Sequence, residues 1–375
     1  MKVVHLLPAL EQGGVETVVC DLVKALGGEW ESVVVSKGGR LVERVERAGG
    51  RHVELDLKSK NPLTYFARAW KLRKALLAEK PDLVCVHSRV PAWLFVWANR
   101  GLGLRWITYA HGANSVSRYS EVMTKGDLVI TPSRFLADYL KANYGMSEGK
   151  IRVIPISVDA ERFDPDNLDQ AFIAEKRREW GICDGDRVIM AIGRITPVKG
   201  LENLIREFAK SKSQISNLKF ESSDSKSDNR TAGQSDNLTI EQSNTVKLII
   251  VGGTDRHHLK YLQELKNLAS AVHPHLSPSP IVFAGPQEKI PECIAIADEI
   301  VSANVTKPET FGLSIVEAYA MNKPVRVMRR FGGAAEVMDA VEKAGSATLR
   351  EAALSLYGSD KFAARTLAVY REAVG

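Results

Sequence analysis

The chain has 375 residues, which predicts two domains of ordinary size. Hydrophobic residues make up 45% of it and charged residues 26%, values typical of a globular protein that can bury a full core. The formal net charge of +6 is mild for this length, so it suits an anionic substrate or an anionic membrane surface and gives no reason to expect a nucleic-acid partner.

The cysteines and the N-terminal segment narrow the class of protein further. The four cysteines lie far apart and include no C-x-x-C pair, which argues against a zinc site or a disulfide framework and favours a reducing cytoplasm. The apolar run 3–7 is too short for a signal peptide, and no apolar stretch approaches the ~18 residues of a membrane span. We therefore expect a soluble or peripheral cytoplasmic protein, in the second case at the inner face of the cytoplasmic membrane.

Strand-like apolar runs alternate with helical patterns through the first half of the chain. Such alternation predicts a parallel sheet with helices on both faces, most often a Rossmann-like domain. A strand at 151–155 leads into a turn-rich hinge, which ends this domain near residue 160. The predicted strands are 3–7, 32–35, 83–87, 107–109 and 128–131, and the predicted helices are 17–26, 41–48 and 135–144.

A second α/β series follows the hinge. We expect domains at 1–160 and 161–355, two doubly wound parallel sheets that face each other across a ligand-binding cleft, followed by an amphipathic C-terminal helix within 356–375. Residues 211–244 are polar and lack hydrophobic periodicity, so they are predicted to be a flexible surface insertion after a helix at 201–210. The predicted strands of this half are 188–192, 247–251, 281–284, 299–301 and 324–328.

The segment 307–317 reads as a loop that opens a helix, with Pro308 and Gly312 in the loop. Glu309 lies before the helix and Glu317 inside it. The free N–H groups of a helix N-terminus attract phosphate, and a carboxylate at the same place accepts hydrogen bonds from sugar hydroxyls. These features favour a sugar-nucleotide ligand, but acidic residues near the positive end of a helix are equally explained by the helix itself.

Three other loops follow predicted strands and carry residues that suit such a ligand. Gly13 and Gly14 open the first helix, where paired glycines indicate either a tight turn or a close backbone approach to a phosphate. His111 follows a strand at the end where open α/β sheets bind ligands, although a single histidine is more often structural. Arg194 and Lys199 can both reach one diphosphate, or can be ordinary solvated cations.

The longest motif is Pro-Glu-x-Phe-Gly-Leu-x-x-x-Glu at 308–317, followed by Lys-Pro-Val at 323–325, Gly-Gly at 332–333 and Glu336. This string resembles the donor-site signature of the GT-B glycosyltransferases, in particular family 4. The segment 193–200 also matches the G-R-x-x-x-x-K-G pattern of that family. The resemblance covers most of the chain and omits the polar insertion.

The resemblance implies a retaining, metal-independent hexosyltransferase that moves a sugar from a nucleotide-diphosphate sugar to a glycan or lipid-linked acceptor, without a cofactor. The implied catalytic set is His111 near the transferred sugar, Arg194 and Lys199 on the leaving diphosphate in place of a metal, and Glu309 on the sugar hydroxyls. Glu317 would bind the ribose of the donor. Further donor contacts are implied for Gly13, Gly14, Phe311, Gly312 and Leu313.

Four other segments carry expectations about structure or role. The C-terminal helix of the family crosses back to the first domain, which we expect of 356–375. Segments 88–93 and 119–127 are similar to a subgroup that builds lipopolysaccharide core or related surface glycans, although packing between strands explains them as well. The stretch 58–80 is rich in Lys and Arg with interleaved apolar residues, which predicts either contact with an anionic membrane or an ordinary amphipathic surface helix.

Some features depart from the family pattern. Ile-Ser-Val-Asp at 156–159 replaces the usual Asn-Gly-Val-Asp, Thr310 stands where Pro is common, and the insertion has no counterpart. The Asp-x-Asp sequences at 164–166 and 184–186 look like the metal motif of the other large glycosyltransferase class, but their Asp, Gly and Pro content predicts turns.

Other functions stay open from the sequence. A sugar-nucleotide epimerase or a phosphorylase has the same two-domain architecture, but no lysine stands out for the pyridoxal phosphate of a phosphorylase. A non-catalytic partner that binds a nucleotide sugar is the other alternative. A nicotinamide-dependent dehydrogenase is disfavoured because no full G-x-G-x-x-G follows either first strand. The nucleotide base (UDP, GDP or ADP), the donor sugar, the acceptor and the oligomeric state are left open.

Overall fold

The computed structural model describes residues 1–11, 13–220, 245–273 and 279–375, and within these it leaves out the side chains of 211–220. The chain forms two compact units, and each is built from separate segments of the sequence. Two parts of the predicted second domain, 308–316 and 331–355, group with the first unit. The first unit comprises Met1–Arg162, Pro308–Val316 and Phe331–Gly375, and the second comprises Phe163–Lys307 and Glu317–Arg330.

The first unit contains a seven-stranded sheet in which neighbouring strands pair in parallel. Its strands are β1 (Lys2–Leu6), β2 (Glu31–Ser36), β3 (Arg51–Glu54), β4 (Leu83–Val86), β5 (Trp106–Tyr109), β6 (Leu128–Thr131) and β7 (Ile151–Val153). They lie in the order β3-β2-β1-β4-β5-β6-β7. The central strands are nearly continuous runs of buried Val, Leu and Ile, as expected for a parallel sheet covered on both faces.

The second unit contains a five-stranded parallel sheet. Its strands are β8 (Arg187–Ile192), β9 (Val246–Val251), β10 (Ile281–Gly285), β11 (Glu299–Ser302) and β12 (Val325–Val327), in the order β10-β9-β8-β11-β12. Its core packs Ile205, Leu248, Ile250 and Leu265 together. The two sheets confirm the predicted fold class of two parallel α/β domains.

Helices follow most strands and return the chain for the next parallel pairing, as parallel connections require. Helix α10 crosses the boundary between the two units, since the first unit ends at Val316 and the second resumes at Glu317. The helices are α1 (Gly14–Leu26), α2 (Val42–Arg47), α3 (Tyr65–Glu79), α4 (Arg89–Ala98), α5 (Arg134–Tyr144), α6 (Gln170–Glu179), α7 (Leu201–Phe220), α8 (Leu259–Val272), α9 (Ile290–Ile296), α10 (Leu313–Ala320), α11 (Gly332–Lys343), α12 (Leu349–Tyr357) and α13 (Ser359–Val374).

The polar segment predicted as an insertion is partly helical. Helix α7 ends at Phe220, whereas the sequence predicted its end at 210. The predicted helix end at 210 is therefore wrong, and the surface insertion itself stays a prediction. Polar composition misled the prediction of the helix end, because Lys, Gln and Leu are good helix formers even where a segment is too polar to belong to a core. The remainder of the predicted insertion, 221–244, lies outside the described residues.

The C-terminal helix α13 belongs to the first unit and packs against α1. Tyr370 is fully buried, and its ring meets that of Trp30 edge to face at 5.7 Å. Arg371 forms an ion pair with Glu29, and this pair joins the last helix to the segment that precedes β2. Among the described residues, no helix is both long enough and apolar enough to cross a bilayer.

Candidate functional site

Three histidines stand in a row at the carboxyl-terminal edge of the first sheet. His5 lies near the end of β1, while His87 follows β4 and His111 lies two residues beyond β5, and these three strands are neighbours. His5 Nδ1 is 3.1 Å from His87 Nε2, and His87 Nδ1 is 3.1 Å from His111 Nε2. The sequence predicted a role for His111 alone, and the structure adds two hydrogen-bonded partners behind it.

The surroundings of His111 hold its ring in one orientation. The ring stacks on that of Tyr109 at a centroid distance of 4.4 Å and an interplanar angle of 4°. Burial lowers the pKa of His111 to about 3 and that of His5 to about 3, and burial also lowers the pKa of His87 well below its ordinary value. All three imidazoles are therefore neutral near pH 7.

The signature loop that precedes α10 is fixed to His111 through Thr310. The Thr310 hydroxyl donates to the main-chain carbonyl of His111 at 2.8 Å, and the Thr310 carbonyl accepts from the hydroxyl of Ser133. Ser133 also caps α5, because its hydroxyl accepts from the backbone N–H of Leu136 at 3.2 Å. Proline, the residue common in the family at this position, has no hydroxyl and could not make the bond to His111.

Gly333 lets the start of α11 pack directly beneath this loop. A Cβ at Gly333 would lie 2.2 Å from the carbonyl oxygen of Thr310, so no other residue fits. The Gly333 N–H donates to the carbonyl of Glu309 at 2.8 Å. One turn later, the carboxylate of Glu336 accepts from the backbone N–H groups of Arg134 and Phe135, so this motif glutamate caps α5.

The remaining predicted donor-contact residues of the loop lie close along the chain. Glu309 is half-buried in the first unit. Phe311 is buried and meets Tyr357 edge to face at 5.6 Å, which anchors the loop. The carbonyl of Gly312 accepts from two N–H groups in the first turn of α10, the helix that Leu313 begins. Glu317, also half-buried, lies on the part of α10 that belongs to the second unit.

The second unit carries the predicted cations on the loop that follows β8. Ile195 is buried and ties the loop to the strand beside it, because its N–H donates to the carbonyl of Gly253 at 2.9 Å. Arg194 is exposed and makes no hydrogen bond or ion pair with any residue that the structure describes. Lys199 is half-buried and lies along Gly193, where a Cβ would be 3.5 Å from Lys199 Cε. The loop is thus fixed while the Arg194 guanidinium remains available.

Gly13 and Gly14 open α1 as predicted, but they have different environments. Gly13 precedes the helix in extended conformation, and a Cβ there would lie 2.4 Å from a carboxylate oxygen of Glu16. A Cβ at Gly14 would meet no atom of the described residues within 4 Å. The contact at Gly13 is with the end of a flexible side chain that can move, so local packing accounts for neither glycine.

The structure brings the predicted residues together in two groups. His111, Glu309, Phe311, Gly312 and Leu313 belong to the first unit, where Thr310 bonds their loop to His111. Gly13 and Gly14 also belong to that unit, after β1. Arg194, Lys199 and Glu317 belong to the second unit.

Both Asp-x-Asp sequences form turns. In the first, the Asp164 carboxylate accepts from the N–H of Asp166 at 3.3 Å. In the second, Gly185 has a φ of +85°, and the Asp186 carboxylate accepts from the N–H of Cys183 and from the hydroxyl of Thr245. This geometry agrees with the interpretation of both sequences as turns. That the protein acts without a metal stays a prediction.

Within the described part of the chain, one buried group has metal-ligand chemistry. The ligand atoms of His5, Cys85 and His87 all lie within 4.8 Å of one another. The nitrogens of the two histidines are also at hydrogen-bonding distance, and burial raises the pKa of the Cys85 thiol to about 12. The hydrogen bond between the two histidines accounts for their close approach.

The two segments with subgroup resemblance, 88–93 and 119–127, contact each other. Arg89 Nη1 donates to the hydroxyl of Ser120 at 3.2 Å, and its guanidinium lies 5.5 Å from the ring centroid of Tyr119. Trp93 donates through its indole N–H to the carbonyl of Tyr119 at 3.0 Å. The tryptophans Trp93, Trp97 and Trp106 pack partly buried against the core of the first unit.

Two family models match the chain. Glycosyltransferase Family 4 matches residues 12–162, and Glycosyl transferases group 1 matches residues 172–345. Between them they cover every strand of the two sheets except β1, together with all of the predicted site residues.

Individual relatives match over part of their length. An uncharacterized glycosyltransferase of Methanocaldococcus jannaschii is 27% identical over 212 residues, which cover 56% of this chain and 44% of that protein. An alpha-monoglucosyldiacylglycerol synthase of Streptococcus pneumoniae is 26% identical over 202 residues, which cover 53% of this chain and 36% of the synthase. The matches thus span less than half the length of these curated relatives.

Solved structures match over the whole chain. A glycosyltransferase of Rickettsia africae superposes with a TM-score of 0.77 at 23% identity and covers 100% of this chain and 98% of its own. The Anabaena protein HepE, crystallised with UDP and glucose, gives a TM-score of 0.76 at 17% identity and covers 99% of each chain. At these identities the likeness establishes a shared fold. With two family models matched along its length and two parallel-sheet units of the GT-B fold, the chain belongs to glycosyltransferase family 4.

Proposed function

We propose that this protein is an active glycosyltransferase that moves a sugar from a nucleotide-diphosphate sugar to a glycan or lipid-linked acceptor. The observation that carries the proposal is the hydrogen bond from Thr310 to the carbonyl of His111, which joins the donor-site signature loop to the ligand-binding edge of the first sheet.

The proposed roles follow from the chemistry of each side chain. The exposed guanidinium of Arg194 and the ammonium of Lys199 stabilise the negative charge that grows on the diphosphate as the glycosidic bond breaks. The carboxylate of Glu309 accepts hydrogen bonds from hydroxyls of the donor sugar, and that of Glu317 accepts them from the ribose. The main chain of the signature loop supplies further contacts to the sugar and diphosphate.

We infer that transfer retains the configuration of the sugar and requires no divalent metal. Two cations on one fixed loop can neutralise a leaving diphosphate, which is the task a metal performs in other transferases. The leaving phosphate accepts the proton of the attacking hydroxyl on the same face of the sugar. This route makes no use of a side-chain nucleophile.

The donor base and the acceptor class also belong to this proposal. HepE has been crystallised with UDP-glucose as well as with UDP, which favours UDP among the three candidate nucleotides. The streptococcal relative is named for a glycolipid product, and another structural neighbour, WaaG, is described as involved in lipopolysaccharide biosynthesis. These names favour a lipid-linked acceptor and a role in surface-glycan assembly.

Contact with an anionic membrane is the matching proposal for helix α3. Four apolar side chains share the outer stripe of this helix and the turn before it, since positions three, four and seven apart lie on one helical face. Leu63 is 91% exposed, Phe66 63%, Trp70 49% and Leu77 52%. Lys74 lies 3.8 Å from the ring centroid of Trp70.

The charges around this stripe fit an anionic surface. Residues 57–78 include no Asp or Glu. Exposed lysines surround the stripe at positions 58, 60, 71, 74 and 80. Peripheral proteins are held on anionic bilayers by apolar side chains in the acyl region and by lysines at the headgroups.

Thermal unfolding in the presence of nucleotides tests the donor site. UDP, GDP, ADP, CMP and their sugars are added to purified protein in EDTA. One nucleoside diphosphate is expected to stabilise the protein selectively, by about 2.7 kcal/mol at a hundred times its dissociation constant. The stabilisation should disappear in Arg194→Ala and Glu317→Ala and persist in Arg206→Ala, which removes an exposed cation of α7.

Product analysis then separates transfer from the alternatives. Release of nucleoside diphosphate with a sugar-bearing acceptor, in the donor's anomeric configuration by proton NMR, supports a retaining transferase. An epimerised sugar nucleotide would indicate an epimerase. Binding without any turnover would indicate a non-catalytic partner, and no response to any nucleotide would contradict the proposal.

A further inference from the structure

The three histidines at the edge of the first sheet form one continuous hydrogen-bonded chain. Each contact joins Nδ1 of one ring to Nε2 of the next, from His5 to His87 and from His87 to His111, at 3.1 Å in both cases. We propose that His5 and His87 are positioning residues that hold His111 in the tautomer with its proton on Nδ1. His111 then offers substrate a fixed N–H donor and has no free ring lone pair.

The chemistry of imidazole allows only two arrangements of protons along this chain. A neutral ring has one N–H donor and one acceptor nitrogen, so a ring that accepts from one neighbour must donate to the other. In the first arrangement Nδ1–H of His5 donates to His87, and Nδ1–H of His87 donates to Nε2 of His111. In the second arrangement every bond is reversed, and His111 donates from Nε2–H.

The inner end of the chain distinguishes these arrangements. His5 is fully buried, and its Nε2 has no hydrogen-bond partner among the residues that the structure describes. The first arrangement leaves a bare acceptor nitrogen at this place, whereas the second leaves an N–H group. Buried donors without a partner are the rarer of the two in proteins, so the first arrangement is favoured.

A third arrangement, with a positive charge on the chain, is opposed by the surroundings. His5 is fully buried and His87 is 3% exposed, so a charge on either ring would be removed from water. Burial lowers the pKa of all three histidines. The row of three histidines is therefore neutral, and the buried His5 at its inner end sets the direction of its hydrogen bonds.

This arrangement of protons determines which hydrogen bonds His111 can make. Its Nε2 accepts from His87, its ring lies flat on Tyr109, and its carbonyl accepts from Thr310. The remaining ring nitrogen carries a proton, so His111 donates a hydrogen bond to a phosphate or sugar oxygen and does not act as a general base. This statement of its role rests on the proposed function, whereas the tautomer itself does not.

The tautomer can be read directly by NMR. In ligand-free protein with ¹⁵N-labelled histidine, long-range proton–nitrogen spectra distinguish Nδ1–H from Nε2–H rings, and single substitutions assign each ring. We expect the Nδ1–H pattern for His5, His87 and His111 across pH 6 to 8. An Nε2–H pattern or a cationic pattern for His111 would overturn the proposal. Stoichiometric zinc or copper in the purified protein would overturn it as well, because a metal requires lone pairs on both inner histidines.

Matched substitutions at His87 test the positioning role. His87→Asn places an amide N–H where Nδ1–H lies, whereas His87→Leu removes the donor. In His87→Leu we expect His111 to show a mixture of tautomers and kcat/KM to fall about tenfold, with the Nδ1–H pattern and the rate largely restored in His87→Asn. Equal rates and an unchanged His111 pattern in both variants would contradict the role.

The outcomes also separate this inference from the proposed function. Should His87→Leu fail to fold, the wild-type spectra still decide the tautomer. Protein that shows the Nδ1–H pattern without any transfer activity would refute the proposed function and leave the tautomer established.

Discussion

The hydroxyl of Thr310 donates to the main-chain carbonyl of His111 at 2.8 Å, across 199 residues of sequence. It joins the signature loop to the segment that follows β5 of the first sheet. Together with the hydrogen bonds from Ser133 and Gly333, it fixes the loop that carries Glu309, Phe311 and Gly312.

Replacing Thr310 tests that connection. Thr310→Val keeps the shape and removes the hydroxyl, and Thr310→Ser keeps the hydroxyl. We expect Thr310→Val to lower the free energy of unfolding by about 1 kcal/mol and to lower kcat, since one hydrogen bond is lost and the loop is less well fixed. Urea unfolding and initial-rate kinetics measure both effects. Equal behaviour of the two variants would show that the hydroxyl is unimportant.

Arg194 is expected to act on the transition state more than on ground-state binding. Arg194→Lys keeps the charge and loses the bidentate geometry, so we expect a loss of about tenfold in kcat, and a further loss of about tenfold or more in Arg194→Ala. Steady-state kinetics in EDTA measure this. Arg206→Ala is the control and should keep the wild-type rate, and an unchanged kcat in Arg194→Ala would remove the proposed role.

Glu336 is expected to contribute to stability through α5. Its carboxylate accepts from two N–H groups at the start of that helix, so Glu336→Ala should lower the free energy of unfolding by about 1–2 kcal/mol. Glu336→Gln retains an acceptor oxygen and should lose less. A large rise in KM for the donor with unchanged stability would instead place Glu336 against the substrate.

Acid should destabilise the protein through its buried histidines. The pKa of His5 is lowered to about 3 in the folded chain, whereas an unfolded histidine has a pKa near 6.5. The unfolded state therefore binds a proton that the folded state excludes, so the stabilisation is complete above pH 6.5 and is lost as the pH falls towards 3. Between pH 7.5 and pH 5 this one residue costs about 2 kcal/mol.

Urea unfolding over this pH range checks the prediction. His5→Gln should flatten the dependence of the unfolding free energy on pH, since the titrating ring is removed. His257→Gln serves as the control, because His257 is exposed and its loss should leave the slope unchanged. Parallel slopes in wild type and His5→Gln would mean that His5 is charged in the folded protein.

Vesicle binding tests the outer face of α3. We expect co-sedimentation with phosphatidylglycerol vesicles, weaker binding to phosphatidylcholine vesicles, and a loss of binding at high salt. The double variant Phe66→Ser, Trp70→Ser should bind at least tenfold less tightly. The control Leu259→Ser removes a side chain that is 55% exposed in the second unit and should bind as wild type does. Equal binding by both variants would exclude this face as the contact.

Much of the fold follows from local pattern. Buried parallel strands are short apolar runs bounded by turn residues, and the runs at 83–87 and 247–251 gave strands within a residue of those observed. Strand β3 was missed because Arg-His-Val-Glu is an edge segment without an apolar run. The end of α7 was missed because polar composition is a weak guide to helical structure.

The candidate site also contains some residues that could be predicted from the sequence and some that could not. The signature loop, His111 and the two cations could be chosen from the sequence because each follows a strand or opens a helix. His5 and His87 could not, since they lie 82 residues apart and look like isolated buried residues until the sheet order brings β1 and β4 together. Thr310 looked like a departure from a family pattern, and only the structure shows what its hydroxyl bonds to.

The segmented composition of the first unit has a consequence for synthesis. Its sheet is encoded by the first 162 residues, but the helix that packs on α1 and buries Tyr370 lies within the last 17 residues of the chain. During synthesis, one side of α1 therefore stays exposed until the whole second unit has been translated. At ~5–20 residues per second this delay is on the order of ten seconds or more, long enough for the second unit to fold before the first is closed.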